Sequence, residues 1–385
     1  MRSLRLLAAA IAVATLAPPA FADDGAPPPP GKELRVYHFG NSHTRNVPLE
    51  RLQTLFQSVG GKYDYGTQLG GGLRLEQHLV RRGHSEPPGE AKLNLVKPYG
   101  AYDHALRNFT FDAIVMQPYL EELDREPQVT ERWPFFRAGV LQAAGALIDY
   151  SRGKTKAGEG RWDLEHPNEG HVASETFYIY ATWPTLKLIL GKEGDGTFAE
   201  YWNRDYQDGV QPSRDFFAQL VDGLNKRNPD LKTPVRMIPA GDVLAKLDVM
   251  IRDGDLPGIE AFYERNQPYY RKARGARTLY NPEAFDRSKG VLNFYADNTH
   301  MNDQPHNGPD SGTIGSYVVA TTIFATLTGE SPVGLTVEPY EMLDAEADAE
   351  LIDALQKTVW EVVAGHPHTG VPAPDADSAN DGAAE

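Results

Sequence analysis

The sequence predicts an α/β domain built on a doubly wound parallel sheet, with helices on both faces and helical insertions. Apolar runs of strand length alternate with segments of helical spacing, which is the pattern of parallel strands joined by crossover helices. Two of these runs end at prolines, Pro118 and Pro184, which cannot donate a hydrogen bond to a strand ladder. The chain has 385 residues, 41% of them hydrophobic, and is long enough to bury one large core.

Five runs are predicted as strands, and most of the segments between them as helices. The predicted strands cover residues 34–39, 62–69, 111–116, 175–183 and 235–240. The predicted helices cover residues 47–56, 73–79, 134–150, 196–228, 243–250, 313–327 and 345–363. Residues 81–108 are irregular and polar, which indicates a surface excursion. Residues 252–290 are rich in Tyr, Arg and Gly, and we interpret them as an insertion or lid.

The first 22 residues have the features of a cleaved signal peptide. Arginines flank the start, an apolar run covers residues 6–16, and an Ala-x-Ala cleavage pattern lies at 20–22. Because the apolar run is too short to span a bilayer, we expect a periplasmic or secreted protein with no membrane span after cleavage. The predicted divisions are a signal peptide over 1–22, a Pro-rich linker over 23–33, the α/β domain over 34–364 and a disordered acidic tail over 365–385.

Composition argues against several functional classes. The formal net charge of −15 gives no general attraction to nucleic acid or to anionic membranes. The chain has no cysteine, so it has no disulfide, thiolate metal site or thiol nucleophile. His166, His171, His300 and His306 could meet nearby carboxylates, but no paired spacing on a helix supports a metal site. We therefore expect neither a metal nor a cofactor.

The most informative stretch is Gly40-Asn41-Ser42, which lies between the first predicted strand and the first predicted helix. A strand-to-helix turn puts Ser42 at the carboxyl end of a strand, where open α/β sheets bind ligands. A serine there can act as a nucleophile if a base is near. On this stretch alone, the simpler role is a helix N-cap, which is common for serine and contributes about 1 kcal/mol.

A base and its partner are available in Asp297-Asn298-Thr299-His300. A carboxylate three residues before a histidine can accept the Nδ1–H of the imidazole. That bond fixes the tautomer and stabilises the imidazolium that forms when Nε2 takes a proton. With Ser42, this stretch would supply a nucleophile, a base and an orienting group.

The order of these features resembles the SGNH (GDSL-type) hydrolase family, and its carbohydrate esterases in particular. The first block of the family, Gly-Asp-Ser, would be Gly40-Asn41-Ser42, and the second-block glycine would lie in Gly70–Gly72. The last block, Asp-x-x-His, would be Asp297–His300, and Gly315–Ala320 is similar to the helix that often trails it. The resemblance covers about residues 34–330 and implies a flavodoxin-like sheet.

Two positions depart from the family pattern. Asn41 stands where the family usually has Asp, and the third block, Gly-x-Asn-Asp, is absent. At the matching strand end the chain has Gln117. The resemblance implies an oxyanion hole made by the backbone N–H of Ser42, the N–H of Gly71 or Gly72, and the side chain of Gln117.

Three further residues are candidates for substrate contact. Asn41 and His43 flank Ser42, although adjacent residues at a turn usually point in different directions. Trp183 ends a predicted strand on the same edge and could stack on a sugar, or it could be a core residue. His78 falls on the helix after the Gly turn, where packing or capping is the simpler role.

The resemblance and the export signal together imply a serine esterase that hydrolyses acyl esters of carbohydrate, most simply O-acetyl esters. Ser42 would be the nucleophile, His300 the general base and acid, and Asp297 the residue that orients His300. Two alternatives stay open. The same triad could transfer acyl groups to a polysaccharide, or the chain could be an SGNH-fold protein that binds a glycan without cleaving it.

Overall fold

The computed structural model describes most of the predicted domain. The described residues are 33–79, 93–119, 122–124, 128–130, 133–137, 139–156, 167–207, 212–273, 285–295, 297–301, 314–340 and 342–373. The predicted signal peptide and nearly all of the predicted linker lie outside them, as does the chain beyond residue 373.

The centre of the fold is a six-stranded sheet. The strands are β1 (Glu33–Gly40), β2 (Lys62–Leu69), β3 (Asn94–Leu95), β4 (Ala113–Met116), β5 (Gln128–Thr130), β6 (Trp133–Arg137), β7 (Phe177–Tyr180) and β8 (Arg236–Ile238). The sheet has the order β3-β2-β1-β4-β7-β8, and β5 and β6 form a separate antiparallel hairpin. All neighbours in the large sheet are parallel except β3, which pairs antiparallel with β2.

The α/β class and the mostly parallel sheet are confirmed. The five parallel strands follow the order β2-β1-β4-β7-β8, which is the order of a flavodoxin-like sheet. The order reverses between β1 and β4, because the chain first adds β2 on one side of β1 and later strands on the other. In open sheets of this kind, ligands bind outside the carboxyl ends of the strands at that switch point.

The helices of the described residues cover the sheet in two packed groups. They are α1 (Ser42–Arg45), α2 (Leu49–Ser58), α3 (Leu75–Leu79), α4 (Tyr102–Asn108), α5 (Val140–Ser151), α6 (Leu186–Leu190), α7 (Phe198–Trp202), α8 (Arg214–Arg227), α9 (Ala240–Asp253), α10 (Ile259–Ala273), α11 (Ile314–Thr328), α12 (Ala349–Gly365) and a 3₁₀ helix over Arg287–Phe294. Helices α3, α4 and α8 pack on α5, while α2, α9 and α12 pack on α11.

Helix α11 is the most deeply buried of these elements. Each of its residues is buried, from Ile314 to Thr328. Its sequence is small, apolar or Thr-rich all round, which suits a helix enclosed by neighbours on every side. None of the helices in the described part of the chain is long and apolar enough to cross a membrane.

The single helix predicted over 134–150 is wrong at its start. The chain instead forms β6 over Trp133–Arg137, and α5 begins at Val140. The aromatic residues of this stretch fit a strand as well as a helix. Gly139 then adopts an extended backbone and serves as the N-cap of α5. The helix predicted over 196–228 is likewise divided, into α7 and α8.

The first part of the predicted tail, residues 366–373, belongs to the packed domain. The backbone N–H of Met237 in β8 donates to the carbonyl of His368 at 2.8 Å. The next residue, Thr369, is fully buried. The segment therefore covers the outer edge of β8, which would otherwise expose unpaired backbone groups.

The predicted insertion at 252–290 contains the body of α10. Arg265 on this helix pairs with Asp348, and Tyr263 donates to the carbonyl of Asn293 at 3.1 Å. These contacts join α10 to the start of α12 and to the 3₁₀ helix. The described part of the insertion is therefore fastened to the domain by these contacts.

Candidate active site

The candidate site lies at the carboxyl ends of three adjacent strands. Ser42 follows β1, Gln117 follows β4, and Thr182 and Trp183 follow β7. Parallel neighbours end at the same edge of a sheet, so these residues come together although they are far apart in sequence. The edge includes the switch point between β1 and β4.

Ser42 is the first residue of α1, and the N-cap of this helix is Asn41. The Asn41 side-chain oxygen accepts from the backbone N–H of His43 at 2.9 Å. The structure therefore gives the capping role to Asn41, which leaves the hydroxyl of Ser42 without that structural task. Ser42 is half-buried between Asn41 and His43, which are both buried.

Asn41 also joins the Ser42 turn to the glycine turn. Its side-chain nitrogen donates to the carbonyl of Leu73 at 3.0 Å. An aspartate could accept from His43 but could not donate to Leu73, because an ionised carboxylate has no hydrogen to give. This geometry explains why Asn fits where the resembled family has Asp.

Gln117 braces the turn from the side of β4. Its side-chain oxygen accepts from the backbone N–H of Asn41 at 3.0 Å and from the hydroxyl of Thr44 at 3.3 Å. Its side-chain nitrogen donates to the carbonyl of Pro118. The oxygen thus faces the turn, because the Asn41 N–H requires an acceptor. Any oxyanion role of Gln117 rests on its second amide N–H.

Gly40 is needed for this close approach. A Cβ added at Gly40 would lie 2.3 Å from the Thr44 hydroxyl and 2.9 Å from the Gln117 side-chain oxygen. Real Cβ atoms do not approach other atoms so closely, so a side chain here would push Thr44 and Gln117 away from the turn. Packing alone therefore explains the glycine at position 40.

The glycine turn after β2 has two open positions. Gly70 is fixed, since its N–H donates to the Gly40 carbonyl at 3.2 Å and its carbonyl accepts from Leu73 at 3.1 Å. Gly71 and Gly72 are exposed, and a Cβ at either would meet no protein atom within 4 Å. Gly72 has φ of +64°, which favours glycine, whereas Gly71 has no positive φ. The fold therefore gives no steric reason for glycine at 71.

The Asp297–His300 pair has the geometry that the sequence predicts. Asp297 Oδ2 lies 2.8 Å from His300 Nδ1, and Asp297 Oδ1 accepts from the backbone N–H groups of Thr299 at 2.6 Å and His300 at 2.7 Å. Because the ionised carboxylate can only accept, Nδ1 carries the hydrogen and Nε2 is the basic atom. His300 Nε2 is buried and has no hydrogen-bond partner among the described residues.

The pKa of Asp297 is lowered in this setting. Burial acts to raise the pKa, but the His300 hydrogen bond and charge, together with the two backbone N–H groups, outweigh it. Asp297 is thus held ionised, as the group that orients a general base must be.

The loop that carries His300 is tied to distant elements. The backbone N–H of Met301 donates to the side-chain oxygen of Asn46 at 2.9 Å, and Asn46 is the C-cap of α1. The indole N–H of Trp183 donates to the carbonyl of Thr299 at 2.8 Å. The first of these bonds links the base directly to the helix that begins with Ser42.

His43 lies against the same loop. Its ring stacks on Trp183 with centroids 5.0 Å apart, and it meets the ring of His300 edge-on at 6.1 Å. Tyr119 contacts His43 edge-on at 5.3 Å. These contacts place the residue that follows Ser42 against His300, although no hydrogen bond joins the Ser42 hydroxyl to His300 Nε2.

His43 is a neutral imidazole. Burial is the main cause that lowers its pKa to about 3; the nearby charge of His300 also lowers it, while Asp297 and the Thr299 backbone act in the opposite direction. Its Nδ1 lies 3.2 Å from the hydroxyl of Thr182. At neutral pH, His43 is therefore uncharged, and its ring lines one side of the site beside His300. Trp183 packs behind it, with only 1% of its surface exposed.

A small pocket adjoins His43 and Trp183. Its lining is mostly aromatic or proline and consists of His43, Pro118, Tyr119, Thr182, Trp183, Thr185, Pro212, Phe216 and Phe217. Its free volume is about 10 Å³, which is room for one water-sized group. The pocket shares His43 with the site, although Ser42 and His300 do not line it.

Other predicted or considered residues have simpler placements. No three His, Asp or Glu side chains of the described residues are grouped to hold a metal ion. The ring Nε2 of His171 lies 3.1 Å from the Phe109 carbonyl, whereas His166 and His306 lie outside the described residues.

Sequence reasoning missed Asn46, Tyr119 and Thr182. Only the tertiary structure gives these residues a place in the site, because their contacts involve residues that are distant in sequence. His43 carried a usable signal, since it follows Ser42 directly. Adjacent residues at a turn usually point in different directions, but the short helix α1 places the His43 ring against Thr182 and Trp183, which follow β7.

Comparison with known proteins gives little. No family model and no curated protein matches the chain. Among solved structures, the chain is similar to a DUF4886 family protein from Bacteroides uniformis, at 15% identity and a TM-score of 0.42. The similarity covers 85% of this chain and 93% of that one. It is too distant to carry a functional argument.

Proposed function

We propose that the protein is an exported serine esterase of the SGNH type, with Ser42, His300 and Asp297 as its triad. One observation carries the proposal. His300 has Nδ1 on a carboxylate and a buried, unpartnered Nε2, and its ring packs against the residue that follows Ser42. A base prepared in this way beside a serine at a sheet switch point suits nucleophilic catalysis.

In the proposed reaction, Ser42 Oγ attacks the ester carbonyl while its proton passes to His300 Nε2. Asp297 holds the imidazole in the correct tautomer and stabilises the imidazolium. The carbonyl oxygen becomes an oxyanion, which the N–H of Ser42 and the N–H of Gly71 or Gly72 stabilise, with Gln117 as a further candidate donor. One such donor contributes roughly 3 kcal/mol in the transition state.

The second half of the reaction regenerates the enzyme. His300 gives its proton to the leaving alkoxide, which departs as an alcohol and leaves an acyl group on Ser42. His300 then removes a proton from water, which attacks the acyl carbonyl; the acyl–Oγ bond breaks, the carboxylic acid leaves, and His300 returns the proton to Ser42 Oγ. The family resemblance and the signal-like N-terminus support an acyl ester of carbohydrate as substrate, and an O-acetyl ester is the simplest case.

The test is a hydrolysis assay with the mature protein on acetylated sugars, acetylated polysaccharides and nitrophenyl acetate. Acetate release that disappears in the Ser42→Ala variant supports the proposal, provided that circular dichroism shows the variant folded. Wild-type protein that is folded but inactive on the whole panel contradicts it. Acetylation of an added sugar acceptor in excess of acetate release would reassign the same triad to acyl transfer.

A further inference from the structure

The side chain of Asn41 joins two segments that the proposed reaction uses. Its oxygen accepts from the backbone N–H of His43 in the Ser42 turn at 2.9 Å, and its nitrogen donates to the carbonyl of Leu73 in the glycine turn at 3.0 Å. The orientation of the amide is unambiguous, because the His43 N–H can only donate and the Leu73 carbonyl can only accept. Only 1% of Asn41 is exposed, so it contacts neighbouring segments and offers no surface to a substrate.

The bond from Asn41 holds one end of the glycine turn. The other end, Gly70, donates its N–H to the carbonyl of Gly40 at 3.2 Å, and the Leu73 N–H closes the turn by donating to the Gly70 carbonyl at 3.1 Å. The two glycines between these ends are exposed and have no side chains to hold them. Where their N–H groups lie relative to Ser42 therefore depends on how Gly70 and Leu73 are tied to the Ser42 turn.

The proposed reaction makes this distance important. Its oxyanion donors come from two segments, the N–H of Ser42 on α1 and an N–H of the glycine turn, which are separated in the chain by α2 and β2. Such donors stabilise a transition state only when they lie about 3 Å from the position that the oxyanion takes. The bond from Gly70 to Gly40 joins backbone groups, so of these two links only the bond from Asn41 to Leu73 depends on a side chain.

We propose that Asn41 is a positioning residue, which sets the distance between the proposed oxyanion donors and must donate a hydrogen bond to do so. The inference rests on the proposed esterase function and adds a residue that acts through the glycine turn without touching the substrate. Aspartate, which the resembled family has at this position, should therefore impair this protein, although it matches asparagine in shape.

Asn41→Asp replaces the donor with an acceptor while keeping the shape. One carboxylate oxygen could still accept from the His43 N–H, but the other would take the place of the nitrogen that lies 3.0 Å from the Leu73 carbonyl oxygen. Burial and the facing carbonyl both disfavour the charged form, so the pKa of the introduced carboxyl should be raised. Once protonated, the carboxyl can donate to Leu73 again. The variant should thus regain the link at low pH.

The charges around position 41 leave this expectation in place. His43 is neutral at neutral pH, and Gln117 on the side of β4 carries no charge. Arg45, one turn further along α1, is exposed, so water weakens its attraction for a carboxylate. Asp297, whose charge acts on the neighbouring His43, opposes a second negative charge at this place.

The test measures kcat and KM of the wild type and Asn41→Asp on nitrophenyl acetate from pH 5 to 9. At pH 8 and above, Asn41→Asp should lower kcat by roughly 10²-fold, the effect of losing one oxyanion donor, with a smaller change in KM. The ratio of variant to wild-type kcat should then rise as pH falls. A direct effect of the added charge on His300 would give the opposite trend, because it would raise the pKa of the base and leave less of it deprotonated at low pH.

A second variant separates the link to Leu73 from the capping of α1. Asn41→Ser keeps an acceptor for the His43 N–H, but its side chain is too short to reach the Leu73 carbonyl. Its kcat should therefore be roughly 10²-fold below that of the wild type at every pH in this range. Thermal melting identifies the variants that fold, and Asn41→Ser decides the matter if Asn41→Asp does not fold.

A matched control comes from Asn168, a buried asparagine outside the candidate site. Its side-chain nitrogen donates to the carbonyls of Leu106 at 3.3 Å, Tyr150 at 2.8 Å and His171 at 2.9 Å. Asn168→Asp therefore makes the same chemical change, and it should lower the melting temperature. The ratio of its kcat to that of the wild type should not change with pH.

The outcomes separate this inference from the proposed function. Ser42-dependent hydrolysis with wild-type kcat in Asn41→Ser overturns the Asn41 inference alone, and so does a ratio for folded Asn41→Asp that does not rise toward low pH. An equal rise in Asn168→Asp would assign the effect to general destabilisation and overturn it too. Absence of Ser42-dependent hydrolysis for every ester overturns the proposed function, and the Asn41 inference with it.

Discussion

The nucleophile turn and the base loop of the candidate site are held in different ways. The Ser42 turn is fixed by neighbouring strand ends, through Gln117 after β4 and Asn41 on the glycine turn. The Asp297–His300 loop is held by long-range hydrogen bonds with the Asn46 and Trp183 side chains, and by the backbone N–H groups of Leu186 and Lys187 at the start of α6, which donate to the carbonyl and the side-chain oxygen of Asn298 at 2.8 Å and 3.2 Å. The proposed nucleophile is thus positioned by the strand ends of the sheet, whereas the proposed base is positioned by two side chains and the start of a short helix.

The largest effects should come from Ser42 and His300, the proposed nucleophile and base. Ser42→Ala and His300→Ala should each lower kcat by roughly 10⁴-fold or more, because each removes a group that the others cannot replace. Neither side chain has a structural hydrogen bond to lose among those described, apart from the His300 pair with Asp297. Esterase assays and thermal melts of both variants check this. A variant as active as the wild type would contradict the proposed triad.

Substitutions in the glycine turn distinguish a glycine that the fold requires from one that the proposed oxyanion contact requires. Gly71→Ala meets no protein atom and should leave the melting temperature unchanged, yet it should lower kcat by roughly 10²-fold if the backbone at 71 approaches the oxyanion. Gly70→Ala is the matched control, because its Cβ would lie 2.5 Å from the Leu73 side chain and should lower the melting temperature. A fully active Gly71→Ala variant would exclude a close approach at 71.

Substitutions of Asn46 test how far the position of the Asp297–His300 loop depends on the hydrogen bond between Asn46 and Met301. Asn46→Leu keeps the size but removes the acceptor for the Met301 N–H, and we expect lower kcat with a smaller change in KM, since the base is displaced. Asn46→Asp restores the acceptor and should recover most of the loss. Its added charge near His300 should also shift the acid limb of the pH–rate profile to higher pH. Equal kcat in all three proteins would show that the loop holds its place without Asn46.

Two of the buried histidines near the first strand, His38 and His43, form a natural pair for comparison. Both are 1% exposed and burial lowers the pKa of each to about 3, but His38 contacts Tyr63 and only His43 contacts His300. Between about pH 3 and pH 6.5 the unfolded chain binds more protons at these positions. Each histidine therefore makes stability fall as pH drops through that window, by up to ~1.4 kcal/mol per pH unit.

His38→Gln and His43→Gln should both flatten this acid loss of stability, as measured by urea unfolding at several pH values. Only His43→Gln should lower esterase activity, because it removes the ring that packs between Trp183 and His300. A loss of activity in His38→Gln equal to that in His43→Gln would mean that general destabilisation, and not the site, accounts for it.

The smallest effect concerns the titration of Asp297. Its folded pKa lies below the usual value, so its carboxylate stabilises the loop above about pH 3.9, and that stabilisation is lost as pH falls through the folded pKa. His300→Ala removes favourable partners while much of the burial remains, so the pKa of Asp297 should rise. Carbonyl carbon chemical shifts of Asp297 in the two proteins, recorded from pH 2 to 6, measure this. An unchanged pKa would contradict the pairing.

The sequence was most informative where a feature is local. The strand before Ser42, the Gly40 turn and the Asp-x-x-His spacing each follow from neighbours in the chain, and β2 matches its predicted bounds of 62–69. The start of α5 was missed because the aromatic run over Trp133–Arg137 suits both strand and helix.

The contacts that assemble the site could not be predicted in the same way. Asn46 and Met301 are 255 residues apart, and no periodic pattern links them. The double role of Asn41 depends on the Leu73 carbonyl, whose position is set by the glycine turn and not by the residues around Ser42. Local chemistry thus indicates which residues can react, but only the packed sheet shows what holds them together.

The most direct test of the central claim is stoichiometric labelling with a fluorophosphonate probe, read by intact mass and peptide mapping. We expect a single label on Ser42, strong loss of labelling in His300→Ala, and no loss in His38→Gln. A folded wild-type protein that takes no label, or takes it at another serine, would contradict an activated nucleophile at Ser42. That result would leave the turn after β1 as a structural feature of the sheet.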